Sequence, residues 1–483
     1  MKKKSFLKRI TALATGFLVI GIAIPYFTET ADVLVDFSEG KGEIRAVNGI
    51  NNGPKSGYQG DGQWSLDATE IYRELEIPFV RTHDSEYPYG SDRFIDIHCI
   101  FPDFSKDPED PDAYNFEGTD EYLVAIADAG AEVFLRLGES IAPIGDEIDE
   151  VWRERDKNQY IHPPEDYEKW AAVCEHIIRH YNEGWNDGFH MDITYWEIWN
   201  EPDTGRMWTG SPEEFYELYK VTARYLKERY PDIKIGGCGF SSVSEEAVEE
   251  FLLAITADGT ETPLDFFSWH TYSDSPGSIA GKADLVRSTL DANGYEDTLS
   301  VISEWNYTAG WNEADYTETW EVIRSQKGAS FIAASMITMQ EHDVDMAMYY
   351  DGQFVSDQIA WCGLYLSEEE LLPGYYAFAN FRQLTEKSRQ VTVTGSQTEK
   401  ANLDGLYVCA AAGGTNGILL TNYNPDTEAA LSFSLKFTGW KHRAVITRYS
   451  AGNPEGEGST CFLWMNRLEI ELEPYEIMYI ELK

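Results

Sequence analysis

The chain has 483 residues, of which 43% are hydrophobic and 14% aromatic, so it has ample apolar material for a large core and is not a disordered polypeptide. Its 83 acidic and 38 basic side chains give a formal net charge of −45. Such a surface repels nucleic-acid backbones and anionic lipid headgroups, which excludes nucleic-acid binding and disfavours an anionic substrate.

The amino terminus has the pattern of an export signal. Five basic residues within the first nine positions precede an apolar stretch at 10–24. This stretch is short for a membrane span and suits the core of a signal peptide. We therefore expect residues 1–30 to be a bacterial-type signal peptide or an uncleaved N-terminal anchor. The protein is then secreted or attached to the cell surface, with membrane contact only through this segment, and a cytosolic protein is the remaining alternative.

From about residue 44 onward, short apolar runs alternate with segments of helical periodicity, which is typical of a parallel sheet with crossover helices. The sequence predicts eight strands, at 44–47, 78–81, 133–137, 193–199, 233–236, 266–269, 299–303 and 345–349. The predicted helices lie at 67–75, 119–129, 164–181, 212–230, 244–257, 281–292, 314–340 and 375–384. Eight strand–helix repeats predict an α/β fold, a (β/α)8 TIM barrel. A doubly wound open sheet is the alternative, although no GxGxxG motif follows the first strand.

The composition changes after the last predicted helix. Short alternating runs and turn signals then follow one another, the runs at 390–393, 417–421 and 476–480 and the turns at 412–414 and 453–456. This pattern predicts a small C-terminal antiparallel β-sandwich. We expect residues 31–386 to form the barrel and residues 387–483 to form the accessory domain.

The long insertion and the cysteines say less about function than the strand and helix pattern does. A long insertion at 87–118 is interpreted as a surface loop or as a lid that faces the substrate. The six cysteines stand singly, with no CxxC motif and no histidine at zinc-ligand spacing, so we expect no metal and no cofactor. One or two disulfides are compatible with export.

The strongest local signal is the segment 194–203, Thr-Tyr-Trp-Glu-Ile-Trp-Asn-Glu-Pro-Asp. A buried strand delivers Asn200 and Glu201 to its carboxyl end, and Pro202 ends the pairing there. A second carboxylate, Glu304, lies at the end of another strand in Ser-Val-Ile-Ser-Glu-Trp-Asn at 300–306. If these are the fourth and seventh strands, Glu201 and Glu304 face each other across the active-site mouth. Paired carboxylates of this kind serve glycoside hydrolysis, as an acid and as a nucleophile or base.

Both segments resemble the acid/base and nucleophile motifs of the retaining glycosidase clan that is built on (β/α)8 barrels. Their spacing, the Val-Asn-Gly opening at 47–49 and the appended β domain most resemble glycoside hydrolase family 39, which includes β-xylosidases and α-L-iduronidases. By this resemblance Glu201 is the general acid/base and Glu304 the nucleophile of a retaining mechanism. An apolar setting around Glu201 and a cation or hydrogen-bond donors around Glu304 would separate their pKa values.

The resemblance also implies the supporting residues. Arg81 corresponds to the clan arginine near the nucleophile, and Tyr272, in the segment Ser-Trp-His-Thr-Tyr at 268–272, would donate a hydrogen bond to Glu304. Asn200 should contact the sugar 2-hydroxyl. The remaining expected substrate contacts are His83, His270, Trp305 and Trp361, and Trp208 offers a further flat face for a sugar.

These residues predict an exported, retaining β-glycosidase that acts on a glycoside or oligosaccharide, most simply a xyloside of the plant cell wall. The segment after Arg81 and the long insertion depart from the xylosidase pattern, so arabinobiose, galactoside or uronide specificity is an alternative within enzymes. From another class, the chain could be a noncatalytic carbohydrate-binding surface protein or a structural adhesin.

Overall fold

The computed structural model describes residues 31–83, 94–140, 161–353, 361–387, 389–395, 403–439 and 441–483. The predicted N-terminal signal segment and the first part of the 87–118 insertion lie outside these ranges. Among the described helices, none combines the length and the apolar character that crossing a bilayer requires.

The described residues form nineteen strands. In chain order they are β1 (Ala31–Glu43), β2 (Ala46–Asn51), β3 (Lys55–Gly60), β4 (Gln63–Asp67), β5 (Phe79–Arg81), β6 (Glu132–Leu137), β7 (Tyr195–Ile198), β8 (Lys234–Phe240), β9 (Phe266–Tyr272), β10 (Leu299–Asn306), β11 (Met346–Tyr349), β12 (Arg389–Thr394), β13 (Leu406–Ala412), β14 (Asn416–Asn422), β15 (Leu431–Phe437), β16 (Arg443–Ser450), β17 (Asn453–Phe462), β18 (Arg467–Leu472) and β19 (Ile477–Leu482).

Ten α-helices are described as well. They are α1 (Thr69–Leu75), α2 (Ile97–Ile100), α3 (Glu117–Asp128), α4 (Tyr167–Glu183), α5 (Pro212–Arg229), α6 (Glu245–Thr256), α7 (Pro276–Ala292), α8 (Glu313–Ile323), α9 (Gln326–Glu341) and α10 (Pro373–Thr385). Their starts follow ordinary capping chemistry: α5, for example, begins with a capping box between Ser211 and Glu214 and has Pro212 in its first turn.

Eight parallel strands close into a barrel in the order β2-β5-β6-β7-β8-β9-β10-β11. The predicted TIM barrel is therefore confirmed, and each of the eight predicted strands overlaps one barrel strand. The predicted helix at 314–340 is instead two helices, α8 and α9. They separate at Ser325, whose side chain accepts a hydrogen bond from the backbone N–H of Gly328 and so starts a new helix.

The second sheet has nine strands in the order β17-β16-β19-β14-β13-β12-β1-β15-β18, and all neighbouring pairs are antiparallel except β1 with β15. Side chains from both halves of the sheet share one apolar core, for example Val33, Val393, Leu435 and Ile480. The sheet thus folds over itself as a sandwich, as the sequence predicts.

Two expectations for this domain were wrong. The sequence assigns residues 31–43 to the barrel domain, 31–386. In the structure they form β1, which pairs with β12 and β15 of the sandwich. The accessory domain therefore uses both ends of the described chain. The predicted turn at 453–456 lies within β17. Because β17 is an edge strand, Pro454 costs it no ladder hydrogen bond.

The barrel and the sandwich share a continuous core. The outer faces of β13, β14 and β19 pack against α9 and α10, and their residues Cys409, Leu419 and Tyr479 belong to the large barrel core. At the same contact, Ser330 of α9 lies 2.8 Å, Oγ to Oγ1, from Thr421 of β14.

The insertion is partly packed into the fold. In its described part, 94–118, the side chains of Phe94, Ile97, Phe101 and Phe116 are buried, so both ends of this stretch pack into the barrel core. Residues 102–112 between them are mostly exposed and form a surface loop. All six cysteines are free thiols, so the alternative of one or two disulfides is not realised.

Candidate active site

The barrel interior has an apolar lower layer and a charged upper layer. Phe134 on β6 and Phe266 on β9 meet across the lumen, with ring centroids 5.0 Å apart. Because side chains alternate along a strand, the residues two positions farther on also face the lumen. On β6 and β7 these are Arg136 and Glu197, and on β5 the same layer holds Arg81; all three are fully buried.

The turn after β7 carries Asn200 and Glu201 in a strained conformation. Trp199 and Glu201 both have positive φ angles, 72° and 43°, which L-residues other than glycine rarely adopt. The Glu201 N–H donates to the carbonyl of Gly239, which lies in the neighbouring strand β8, at 2.9 Å. Strain of this kind is typical of functional sites, and here it fixes the direction of the Glu201 side chain.

Gly239 itself fits tightly against the site. Its φ is +59°, and a Cβ at this position would lie 3.1 Å from His270 Nε2 and 3.3 Å from Asn200 Oδ1. A side chain here would be strained and would press on both residues.

Glu304, on β10, is almost fully buried and is surrounded by donors. Arg81 Nη1 donates to its Oε1 at 2.9 Å, and the Tyr272 hydroxyl donates to its Oε2 at 2.8 Å. His83 Nε2 lies 3.2 Å from Oε1. Burial raises the pKa of Tyr272 well above its usual range, and the adjacent Glu304 charge adds to this, so the phenol keeps the proton that it donates.

Glu201 lies beside Glu304, with His270 between them. His270 Nδ1 is 2.9 Å from Glu201 Oε1 and 3.5 Å from Glu304 Oε2. One carboxylate oxygen of each glutamate and a ring nitrogen of His270 all lie within 4.8 Å of one another. Glu201 keeps 20% of its side chain exposed, against 5% for Glu304, so Glu201 is the carboxylate that solvent can reach.

His270 is a neutral hydrogen-bond donor at this position. Burial lowers its pKa to about 4; the charge of Glu304 opposes this shift, whereas Arg81 and His83 reinforce it. At neutral pH the ring therefore carries one proton, and a proton on Nδ1 hydrogen-bonds to Glu201.

Arg81 is the hub of the buried layer. Besides Glu304, it donates through Nε to Glu197 Oε2 at 2.6 Å, through Nη1 to Asn51 Oδ1 at 3.0 Å and through Nη2 to Asn200 Oδ1 at 2.6 Å. Burial lowers the pKa of Arg81, but the charges of Glu197 and Glu304 outweigh this and raise it overall. The Asn200 carbonyl is thus occupied by Arg81, which leaves its NH2 group to donate to a sugar hydroxyl.

Sequence analysis did not identify Glu197 or Asn51. A signal for Glu197 was present, because it stands four residues before Glu201 in an otherwise apolar strand, where an unpaired carboxylate would be costly. Finding its partner required the register of β5, β6 and β7, which the sequence alone does not supply.

Aromatic rings line the rim of the site next to Glu304. The half-buried Trp361 has its ring centroid 5.6 Å from that of Tyr272. Trp311 and Tyr350, which sequence analysis did not identify, complete the cluster at 5.3 and 6.2 Å from Tyr272. Trp311 is 59% exposed and so offers a free face to a ligand.

Trp305 and Trp208 do not face the site, and both expectations were wrong. Trp305 is fully buried and packs on Phe331 and Tyr349. Because Glu304 points into the lumen, the next residue must point outward into the helix layer. Trp208 is buried against Trp199 in the same outer core.

The donor types of Glu201, His270 and Glu304 are those of a metal ligand set. Here, however, the Arg81 guanidinium already lies 2.9 Å from Glu304 and supplies the positive charge that a cation would bring. The arrangement is suited instead to moving a proton at Glu201 and presenting an ionic oxygen at Glu304.

Comparison with known proteins agrees with this geometry. A family model described as glycosyl hydrolases family 39 matches residues 56–293, a range that includes Arg81, Glu201 and Tyr272. A β-xylosidase from Geobacillus stearothermophilus is 28% identical over 193 residues, which is 39% of this chain and 36% of that protein. An α-1,4-L-rhamnosidase from Formosa agariphila is 28% identical over 316 residues, 62% of this chain and 60% of that protein.

The chain thus matches less than two thirds of the length of these two relatives. Among solved structures, a glucosidase from Croceicoccus marinus superposes with a TM-score of 0.72 at 23% identity, covering 94% of this chain and 99% of that one. That similarity concerns the fold and includes both the barrel and the sandwich. The family match over residues 56–293 and the similar β-xylosidase support glycosyl hydrolase family 39 as the family of this chain.

Proposed function

We propose that the protein is a retaining β-glycosidase of β-xylosidase type, with Glu304 as nucleophile and Glu201 as general acid/base. The observation that carries the proposal is the placement of the two glutamates, with oxygens within 4.8 Å of each other. Carboxyl groups about 5–5.5 Å apart suit a covalent double displacement, whereas inversion needs about 6.5–9.5 Å to accommodate a water molecule between them.

In the first step, Glu304 attacks the anomeric carbon while Glu201 gives its proton to the leaving oxygen, and a glycosyl–enzyme ester forms. Arg81 and Tyr272 each hold one oxygen of Glu304, which fixes the carboxylate for attack. In the second step, Glu201 takes a proton from water as the water oxygen attacks the anomeric carbon, and the bond from that carbon to Glu304 breaks and releases the carboxylate. The greater exposure of Glu201 supports this assignment, since water must reach it.

The β-xylosidase type is supported by the name of one relative and by the aromatic rim. A second candidate specificity, for an α-L-rhamnoside, is favoured by one observation: the match to the rhamnosidase extends over 62% of this chain. A noncatalytic binding protein is disfavoured. Such a protein would not need Glu201 and Glu304 side by side, or hydrogen-bond donors to both carboxylate oxygens of Glu304.

The test is a panel of nitrophenyl glycosides assayed with the wild type and with Glu304→Ala and Glu304→Gly. Hydrolysis should be lost in both variants, and azide should rescue Glu304→Gly with formation of a glycosyl azide. Proton NMR of the first product should show the anomer of the substrate. Full activity of Glu304→Ala, or an inverted product, would refute the mechanism; cleavage of the rhamnoside alone would refute only the sugar.

We also propose that the protein acts outside the cytoplasm, on the strength of the basic and apolar pattern of residues 1–30. N-terminal sequencing of the protein from culture medium and from the membrane fraction tests this. An intact terminus on protein found only in the cytosolic fraction would contradict it.

A further inference from the structure

The sandwich carries the most exposed apolar side chains of the described residues. Phe462, Trp464 and Met465 are 88%, 81% and 84% exposed, and they stand within four consecutive positions. With the half-buried Leu463 they form what we call the apolar tip, residues 462–465. Single exposed apolar residues need no explanation, but such a cluster marks a contact surface.

The apolar tip belongs to a tight connection between the two edge strands of the sandwich, β17 and β18. Phe462 pairs with Arg443 at the end of β17, and a β-bridge joins Trp464 to Arg467 across the turn. The two residues between them, Met465 and Asn466, have φ angles of 56° and 53°. This is the geometry of a type I′ turn, whose two central positions favour asparagine and glycine.

Met465 is therefore an unfavourable choice at the apex. A side chain other than glycine or asparagine is strained in the left-handed region, and an apolar one also remains in water. No packing within the protein compensates, since the residue is 84% exposed. A strained, exposed, apolar apex indicates that an external surface covers it.

The surroundings of the apolar tip are basic, although the whole chain has a net charge of −45. Four basic residues stand at the same end of the sandwich: Lys441, Arg443, Arg467 and Lys483. Lys483 pairs through its backbone with Arg443, and the Lys441 backbone N–H donates to Asn466 Oδ1. Arg467 is paired with Glu469, and Lys483 with Glu481. Within the described part of the chain, Lys441 and Arg443 form no ion pair.

Tryptophan, phenylalanine and methionine flanked by lysine and arginine form the composition of segments that insert at a bilayer interface. A sugar platform requires flat rings side by side, whereas Leu463 and Met465 make this tip a wedge. The acidic surface of the rest of the protein does not prevent contact, because at physiological salt charges are screened beyond about 8 Å. Beside the tip, Glu469 and Glu481 offset the charges of Arg467 and Lys483, so Lys441 and Arg443 are the cations that act on the lipid headgroups.

We propose that the apolar tip inserts into the headgroup region of an anionic lipid bilayer, with Lys441 and Arg443 contacting the lipid phosphates. The sequence pattern limits membrane contact to residues 1–30; the tip adds a second contact. Ala31, the first described residue after that segment, pairs with Phe433, three residues before Lys436, the partner of Arg467. Three residues of a strand span about 10 Å.

The test uses the full chain with its two partly exposed thiols replaced, Cys99→Ser and Cys461→Ser. In this background a single environment-sensitive fluorophore is attached to Met465→Cys, and in a matched control to Leu253→Cys of α6, which is 64% exposed. Vesicles contain either phosphatidylcholine alone or phosphatidylcholine with 30% phosphatidylglycerol. On the anionic vesicles, the probe at 465 should shift to the blue and be quenched by brominated acyl chains, whereas the probe at 253 should do neither.

Two variants separate the contributions. Phe462→Ser with Trp464→Ser should abolish quenching at 465, and Lys441→Glu with Arg443→Glu should reduce it at least tenfold on anionic vesicles. Both should hydrolyse aryl glycosides like the wild type, which shows that they fold and separates this proposal from the proposed function. An unshifted probe at 465 on anionic vesicles would overturn the proposal. So would a shift caused without lipid by raised protein concentration or by soluble polysaccharide, which would indicate a second copy or a glycan.

Discussion

The replacement Glu197→Gln tests whether the buried layer beneath the site serves catalysis as well as stability. Glu197 and Arg81 are both fully buried, and their ion pair is 2.6 Å long, against 2.9 Å for the ion pair of Arg81 with Glu304. Glutamine keeps the shape and an acceptor oxygen but removes the charge. The guanidinium is then drawn toward Glu304, its other carboxylate partner, which moves it and makes Glu304 a poorer nucleophile.

The structure sets the expected magnitudes. Removing one partner of a buried ion pair costs about 3–5 kcal/mol, and because glutamine retains a hydrogen bond we expect about 3 kcal/mol. For a barrel of this size that corresponds to a fall in Tm of about 4 °C. Displacement of a catalytic group by about 1 Å costs on the order of 100-fold in rate, and we expect kcat/KM for an aryl glycoside to fall by that factor.

The chain offers a matched control in Asp96→Asn. Asp96 and Arg136 form another buried ion pair at the same level of the barrel, 2.7 Å long, but Arg136 has no hydrogen bond to Glu201 or Glu304 within the described residues. This variant should lose similar stability in urea titrations and keep kcat/KM within tenfold of the wild type. If both variants lose activity in proportion to stability, or if Glu197→Gln is fully active, the positioning role of Glu197 is refuted.

The remaining predictions concern the groups around the two glutamates. Tyr272→Phe removes the hydrogen bond to Glu304 and should lower kcat/KM about 10- to 100-fold at unchanged Tm; wild-type kinetics would contradict a role for the phenol. The pKa of His270 is about 4 in the folded chain, against 6.5 ordinarily. As the pH is lowered, the unfolded chain therefore protonates this ring before the folded chain does. The free energy of unfolding should fall by about 3 kcal/mol between pH 7 and pH 4. Urea titrations should show a smaller fall in the free energy of unfolding for His270→Asn over the same pH range. An equal fall would show that His270 is not the group responsible. Trp361→Ala should raise KM without changing Tm, whereas Trp305→Ala should cost about 3–5 kcal/mol of stability without raising KM. The opposite pattern in kinetics and thermal scans would show that the two rings are wrongly assigned.

The barrel was predictable because its signal is local. Buried parallel strands appear as short apolar runs, and the helices between them have their own periodicity and caps. The two catalytic glutamates were equally predictable, because each stands at the end of such an apolar run in a distinctive motif. Arg81, His83, His270 and Tyr272 follow from the same rule, and the structure brings all four within contact of Glu201, Glu304 or both.

Other features depend on long-range contacts that local patterns do not reveal. The pairing of Glu197 with Arg81 joins two strands separated by more than a hundred residues. The aromatic rim combines the end of β9 with the loops after β10 and β11. Trp305 was misassigned for a simpler reason: strict alternation from Glu304 already places it outside the lumen. The sandwich was recognised from its strands, but the membership of β1 depends on partners at the other end of the chain.

The position of β1 has a consequence for biosynthesis. This strand is made before any barrel strand, yet its partners β12 and β15 are translated roughly 350–400 residues later, a delay on the order of 20–80 s at ordinary elongation rates. Throughout that time the backbone groups of β1 lack their sheet partners, and the barrel must form with a loose strand attached to it. The sandwich therefore closes last, and a protein shortened at its carboxyl end leaves β1 unpaired at the surface.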